Sequence, residues 1–150
     1  MDARVFRCGN CGAFNRVPAG REGAPSCGRC KRTLATDGAP QAVDVVGLER
    51  AIAGSPVPLL VDFWAPWCGP CRMVAPTVEQ VARAHAGELV VLKLDTEAHA
   101  DGGARFGIRG IPTFAVFRGG AEVGRQSGAL PRPMLEALIE SALRPSARGA

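Results

Sequence analysis

The six cysteines of this 150-residue chain fall into three Cys-x-x-Cys pairs, Cys8/Cys11, Cys27/Cys30 and Cys68/Cys71, and this grouping constrains the fold more than any other feature. Four of them precede residue 31, in a stretch rich in glycine (Gly9, Gly12, Gly20, Gly23, Gly28) and poor in large apolar side chains. Such a segment cannot build a hydrophobic core alone. Two Cys-x2-Cys pairs separated by residues 12–26 are, however, the spacing that closes a tetrahedral zinc site. Each pair supplies two sulfurs from one tight loop, and Gly9, Gly12 and Gly28 permit backbone N–H groups to approach the thiolates. Cys8, Cys11, Cys27 and Cys30 are therefore the expected ligands of one structural zinc ion, which takes the place of the missing core.

Charge supports a two-part chain. Residues 1–34 carry seven basic and two acidic side chains, and the remainder eleven and twelve, giving +5 and −1. Four thiolates around Zn²⁺ leave a formal charge of −2, which Arg7, Arg29, Lys31 and Arg32 are placed to offset. Nucleic-acid binding is the competing reading of this basicity. Phe6 and Phe14 are the only aromatics in the head, too few for a base-stacking surface, so nucleic acid is not an expected partner. His85 and His99 read as ordinary surface residues.

Residues 35–42, ATDGAPQA, are small and polar with a Gly and a Pro, as in a linker. The organisation expected is a zinc-binding head at 1–34, a linker at 35–42, a second domain at 43–143 and a functionless tail at 144–150. Within the second domain, residues 57–63, 89–94 and 113–117 read as strands. Val74, Val78 and Val81 recur at helical spacing, as do Met134, Leu135, Leu138, Ile139 and Ala142. Pro76 should kink the first of these helices. A helix at 98–106 is weakened by Gly102-Gly103, and Gly119-Gly120 signals a hairpin. Strands alternating with helices make an α/β fold.

The opening MDARVFRCGN has no apolar h-region, and the longest uncharged run, 51–61, is broken by Gly54, Pro56 and Pro58, so neither an export signal nor a membrane span is expected. The expected location is the cytoplasm. Thiols stay reduced there, so metal binding and redox chemistry explain six cysteines better than three structural disulfides.

Trp67-Cys68-Gly69-Pro70-Cys71 follows an apolar strand and opens the helix containing Val74. A cysteine at a helix N-terminus faces free N–H groups and the positive end of the helix dipole, which favour its thiolate. Cys68 is thus the expected nucleophile. Cys71, three residues on and shielded, is placed to resolve a mixed disulfide. Asp62, the one charge in Leu59-Leu60-Val61-Asp62-Phe63-Trp64, should have a raised pKa and is a candidate acid/base for Cys71. The alternatives are a solvent-facing charge on an edge strand for Asp62, and zinc ligation for Cys68 and Cys71. Trp64 reads as a core aromatic, Trp67 as part of an exposed contact surface.

Residues from about 43 to 143 resemble thioredoxin: 61–65 (VDFWA) and 67–71 (WCGPC) match its active-site signature, and 106–113 (FGIRGIPT) its proline loop. The head resembles the N-terminal module of zinc-containing bacterial thioredoxins of the thioredoxin 2 type, with Lys31 where a zinc knuckle often has glycine. The resemblance implies a central mixed β-sheet flanked by helices, with a small zinc-ribbon-like module of four cysteines in front. It also implies a cis peptide at Ile111-Pro112, with Pro112 guarding the dithiol from metals and the Ile111 backbone pairing with substrate. Lys93 would lie near the buried aspartate, Gly128 beside the substrate groove, and Trp67, Gly69 and Pro70 would support the reactive pair.

The function expected is that of a general protein-disulfide reductase acting by dithiol–disulfide exchange. Its cofactors would be zinc and a redox-active disulfide, with no bound organic group. Its partners would be disulfide-containing proteins and an NADPH-dependent flavin reductase, with no membrane. The alternatives are an oxidase or isomerase on the same fold, or a zinc-dependent chaperone or binding module.

Overall fold

The computed structural model describes residues 3–20 and 25–144, so the expected tail, apart from Arg144, lies outside the described residues. Two antiparallel strands, β1 (Ala3–Arg7) and β2 (Phe14–Pro18), frame the first cysteine loop. Neither is expected from the glycine-rich sequence. Phe6, Val17 and Leu34 are buried together with Cys8 and Cys27, so the head has a small apolar cluster in which the cysteines themselves are members.

Next comes β3 (Gln41–Ala42), formed by the last two residues of the segment expected to be linker. Helix α1 (Val45–Gly54) follows; Asp44 caps it by accepting the Gly47 N–H at 2.7 Å, and Val45, Leu48 and Ala51 face inward. The remaining elements are β4 (Leu59–Trp64), α2 (Gly69–Ala84), β5 (Val90–Asp95), α3 (Ala100–Arg105), β6 (Thr113–Arg118), β7 (Ala121–Ser127) and α4 (Arg132–Leu143).

The five strands lie in the order β3-β5-β4-β6-β7, the first three parallel and the last two antiparallel to their neighbours. Alternation along the strands sends Leu60, Val91, Phe114 and Val116 toward Val74 and Val78 of α2 and Leu135 and Ile139 of α4. Val61, Phe63, Leu92, Leu94, Ala115 and Phe117 face Leu48 of α1 on the other side. Helices on both faces explain why the central strands are apolar almost throughout. This is the mixed sheet flanked by helices that the resemblance implied.

Helix α3 forms despite its paired glycines. A Cβ on Gly102 would stand 2.7 Å from Leu94 Cδ2 and 3.2 Å from Val45 Cγ2, so the absent side chain is what lets α3 lie against the sheet. Gly119 and Gly120, with φ of 60° and 85°, form the two-residue turn between β6 and β7 that the hairpin signal predicted.

The head sits along the β3 margin. The Val5 N–H donates to the Gly87 carbonyl at 2.9 Å, and Arg83 pairs with Asp37 at 3.1 Å. Gly38, at φ 79°, passes so close to α2 that a Cβ would lie 2.8 Å from the Ala82 carbonyl oxygen.

Candidate functional site

Cys68 is the N-cap of α2, in extended conformation, and its sulfur accepts the Cys71 N–H at 3.2 Å. That bond is available because Pro70, in the first turn, needs no N–H partner and sets the helical φ. Cys68 and Cys71 are joined as a disulfide with Cα atoms 5.2 Å apart, and both are buried. The sulfur is thus surrounded by the partial positive charge of a helix start, which favours a thiolate once the bond opens.

The facing wall is the loop before β6. Ile111-Pro112 is cis, as the resemblance implied, and the Ile111 carbonyl oxygen lies 3.8 Å from Cys68 Sγ. Gly128, at φ 103°, donates its N–H to the Pro112 carbonyl at 2.8 Å and so braces the loop from the end of β7. Thr113 adds bonds to the Gly110 carbonyl and to Ser127. Trp67 stands 67% exposed beside the pair. Met73, 76% exposed on the outward side of α2, was not expected; its signal was an apolar residue lying off the Val74-Val78-Val81 stripe.

Asp62 lies on β4, between β5 and β6, and is 2% exposed, which removes the solvent-facing edge-strand alternative. Burial pushes its carboxyl up to about 7, against the opposing pull of Lys93, its direct neighbour on β5. Asp62 Oδ1 has no hydrogen-bond partner. The Lys93 ammonium is over the Trp64 ring, 4.5 Å from its centroid. Trp64 itself is half-buried and packs, like Ile111, against the cluster of Ala65 and the disulfide.

In the head the four sulfurs of Cys8, Cys11, Cys27 and Cys30 lie within 4.8 Å of one another, with Cys8–Cys30 and Cys11–Cys27 both at 3.7 Å. A tetrahedron of zinc–sulfur bonds of about 2.3 Å needs edges of about 3.8 Å, so the donor set fits zinc. The two loops repeat one geometry. The Gly12 N–H returns to the Cys8 carbonyl at 2.8 Å and the Lys31 N–H to that of Cys27 at 3.0 Å, with φ of 82° and 71°. Lys31 is the one non-glycine with positive φ among the described residues, and its ammonium bonds the Gly28 carbonyl at 2.9 Å.

Backbone N–H groups of Cys30 and Arg29 hold the Cys27 thiol down at about 6, helped by Asn15. The Arg32 N–H and Asn10 lower Cys30 similarly. The Ala13 backbone favours the Cys11 thiolate, but burial and the neighbouring sulfurs outweigh it and push Cys11 up to about 11. Four close sulfurs cannot all ionise without a cation among them, which is the condition a divalent metal relieves. Of the basic residues expected to offset the site's charge, Arg7 does so directly, its guanidinium interacting with Cys8 and Cys11. Arg29 and Arg32 contribute backbone N–H groups to the sulfurs.

The family model described as Thioredoxin matches residues 41–141. Thioredoxin 1 of Nostoc sp. (strain PCC 7120 / SAG 25.82 / UTEX 2576) is 44% identical over 95 residues, 63% of this chain and 89% of the relative. Thioredoxin C-3 of Corynebacterium nephridii is 38% identical over 141 residues, 93% of this chain and 96% of its own, so that match runs into the head. Thioredoxin M4, chloroplastic, of Arabidopsis thaliana is 38% identical over 136 residues, 91% and 70% of the two chains. Among solved structures, a mutant thioredoxin from Halobacterium salinarum NRC-1 superposes with a TM-score of 0.67 at 31% identity, covering 75% of this chain and 97% of that one.

Proposed function

The chain belongs to the thioredoxin family and reduces protein disulfides by dithiol–disulfide exchange; from that premise we propose that Cys68 attacks, Cys71 resolves and Asp62 carries the proton. The Cys68 thiolate attacks one sulfur of a substrate disulfide, and the other sulfur leaves as a thiolate that is protonated. Asp62 takes the Cys71 proton as Cys71 attacks Cys68 in the mixed disulfide. The second substrate thiol departs, leaving the Cys68–Cys71 disulfide, two electrons and two protons having passed to the substrate. The observation that carries this assignment is the capping geometry, in which the Cys71 N–H points at the Cys68 sulfur at 3.2 Å.

Substrate would lie as an extended segment along Ile111 and Pro112, between Trp67, Gly69 and Pro70 on one side and Gly128 on the other. Lys93 supports the buried carboxyl. Proteins of this family are generally reduced by thioredoxin reductase, and the partner proposed here is the NADPH-dependent flavin type, in the cytoplasm, where thiols are kept reduced.

Residues 1–34 act as a zinc-binding head, 35–42 as the connection and 43–143 as the catalytic unit. Cys8, Cys11, Cys27 and Cys30 would hold one zinc ion, which when bound cross-links the two cysteine loops and so stabilises a head with little apolar core. Among the described residues no helix is long and apolar enough to cross a membrane.

The assignment is tested by trapping. Cys71→Ser should accumulate a mixed disulfide through Cys68 with a disulfide-bonded protein substrate, and Cys68→Ser should form none and lose reductase activity. Adducts mapping to any cysteine other than Cys68 would reject it.

A further inference from the structure

Asp62, Trp64 and Lys93 share one face of the sheet. Asp62 and Lys93 are paired directly across β4 and β5, and Trp64 lies two residues along from Asp62 on the same side. Opposite charges so placed ordinarily attract across the ladder. Here the Lys93 ammonium stands instead over the indole of Trp64, 4.5 Å from the ring centroid. Among the described residues every ion pair is made by an arginine or by His85, none by Lys93. Asp62 Oδ1 is left buried and unbonded.

We propose that Trp64 is a positioning residue for the proton transfer: by holding the Lys93 ammonium against its ring face, it keeps the cation off Asp62 and leaves the buried carboxyl free to exchange a proton. The inference rests on the assignment of Asp62 as proton carrier and adds what keeps it competent.

On β5 the residue paired with Asp62 is Lys93, and on β6 it is Phe114, which carries no charge; Cys71, titratable once reduced, is the proton partner assigned to the carboxyl above. Lys93 is the one charge acting on the carboxyl besides burial itself. An opposite charge brought within about 4–6 Å lowers a carboxyl by about 1–3 units. Contact between Lys93 and Asp62 would hold the carboxyl ionised through neutral pH and lose its proton-donor form. A cation held against an aromatic face nearby adjusts the carboxyl without capturing it.

The test uses the full, reduced chain, wild type and the variants Trp64→Phe, Trp64→Leu, Lys93→Met and Trp64→Phe/Lys93→Met. The Asp62 carboxyl is titrated by ¹³C NMR, and the pH profile of mixed-disulfide resolution is recorded for each. The expected result is a midpoint lower by about one unit in Trp64→Leu, less lowered in Trp64→Phe, and insensitive to Trp64→Phe once Lys93 is Met. The resolution profile should shift by the same interval, which lost packing alone would not produce. If Trp64→Leu does not fold, the three variants without it complete the cycle. A midpoint unchanged by Trp64→Phe, or changed equally with and without Lys93, overturns the inference. A midpoint that moves while the resolution profile stays fixed supports the hold on Lys93 and rejects Asp62 as the proton carrier.

Discussion

Arg7 and Gln41 are bound to each other twice, the guanidinium donating to Gln41 Oε1 at 2.8 Å and Gln41 Nε2 donating to the Arg7 carbonyl at 2.9 Å. The pair ties the end of β1, one residue before Cys8, to the strand at the margin of the catalytic sheet. Two part-buried hydrogen bonds of this kind contribute about 1 kcal/mol each, somewhat more where a charge takes part. Gln41→Ala is expected to lower stability by about 1–3 kcal/mol and to speed amide exchange in β1 before the β4–β5 pairing is affected. Exchange measured residue by residue checks this; uniform acceleration across both regions would contradict it.

Asp62 makes stability depend on pH. Its carboxyl is raised to about 7 from an ordinary 3.8, so between those values the folded chain binds more protons than the unfolded one. Stability therefore falls as pH rises from about 4 to about 7, by up to about 4 kcal/mol, and stays at the lower level above that window. Asp62→Asn should flatten this slope and be more stable than wild type at pH 8, while slowing disulfide reduction. Urea unfolding at pH 5 and pH 8 measures both arms.

The two glycines of α3 should respond oppositely to the same change. Gly103 has no neighbour closer than 4.0 Å to a new Cβ, so Gly103→Ala gains helix propensity of up to about 1 kcal/mol. Gly102→Ala would drive a methyl into the fully buried Leu94, and overpacking of about 1–3 kcal/mol outweighs the same gain. Thermal unfolding of both variants should rank them on either side of wild type.

Removing zinc should loosen the head and spare the dithiol. The head meets the catalytic unit through the Val5 N–H bond to Gly87 and the packing of Phe14 against the core cluster around Leu48, and meets the connecting segment through the Arg7–Gln41 pair, whereas Cys68 follows the C-terminal end of β4. Chelation is expected to release one zinc per chain and expose four thiols while disulfide reduction continues. Complete, reversible loss of turnover on chelation would show that the two regions are coupled.

The candidate site was largely legible because its signal is local: Cys68, Pro70 and Cys71 occupy one turn, and Asp62 is conspicuous among apolar neighbours. Helix α1 was legible but not read, since Asp44 followed by Val45, Leu48 and Ala51 carries both a cap and a stripe. Strand β7 was not, because its residues are nearly all exposed and polar and it is held by its pairing with β6. The roles of Gly38 and Gly102 depend on Ala82 and Leu94, which only the packing of distant elements brings near.

The docking of the head also bears on the margins of the sheet. A sheet has two outer margins, and an uncovered one invites pairing with a second chain. Here one margin is a two-residue strand fastened to the head through Gln41, and the other, β7, carries Glu122 and Arg125 beside a register shift at Val116/Phe117. Both margins are thereby blunted against edge-to-edge pairing, one by the cysteine-bearing head fastened over it and the other by opposed charges and an irregular register.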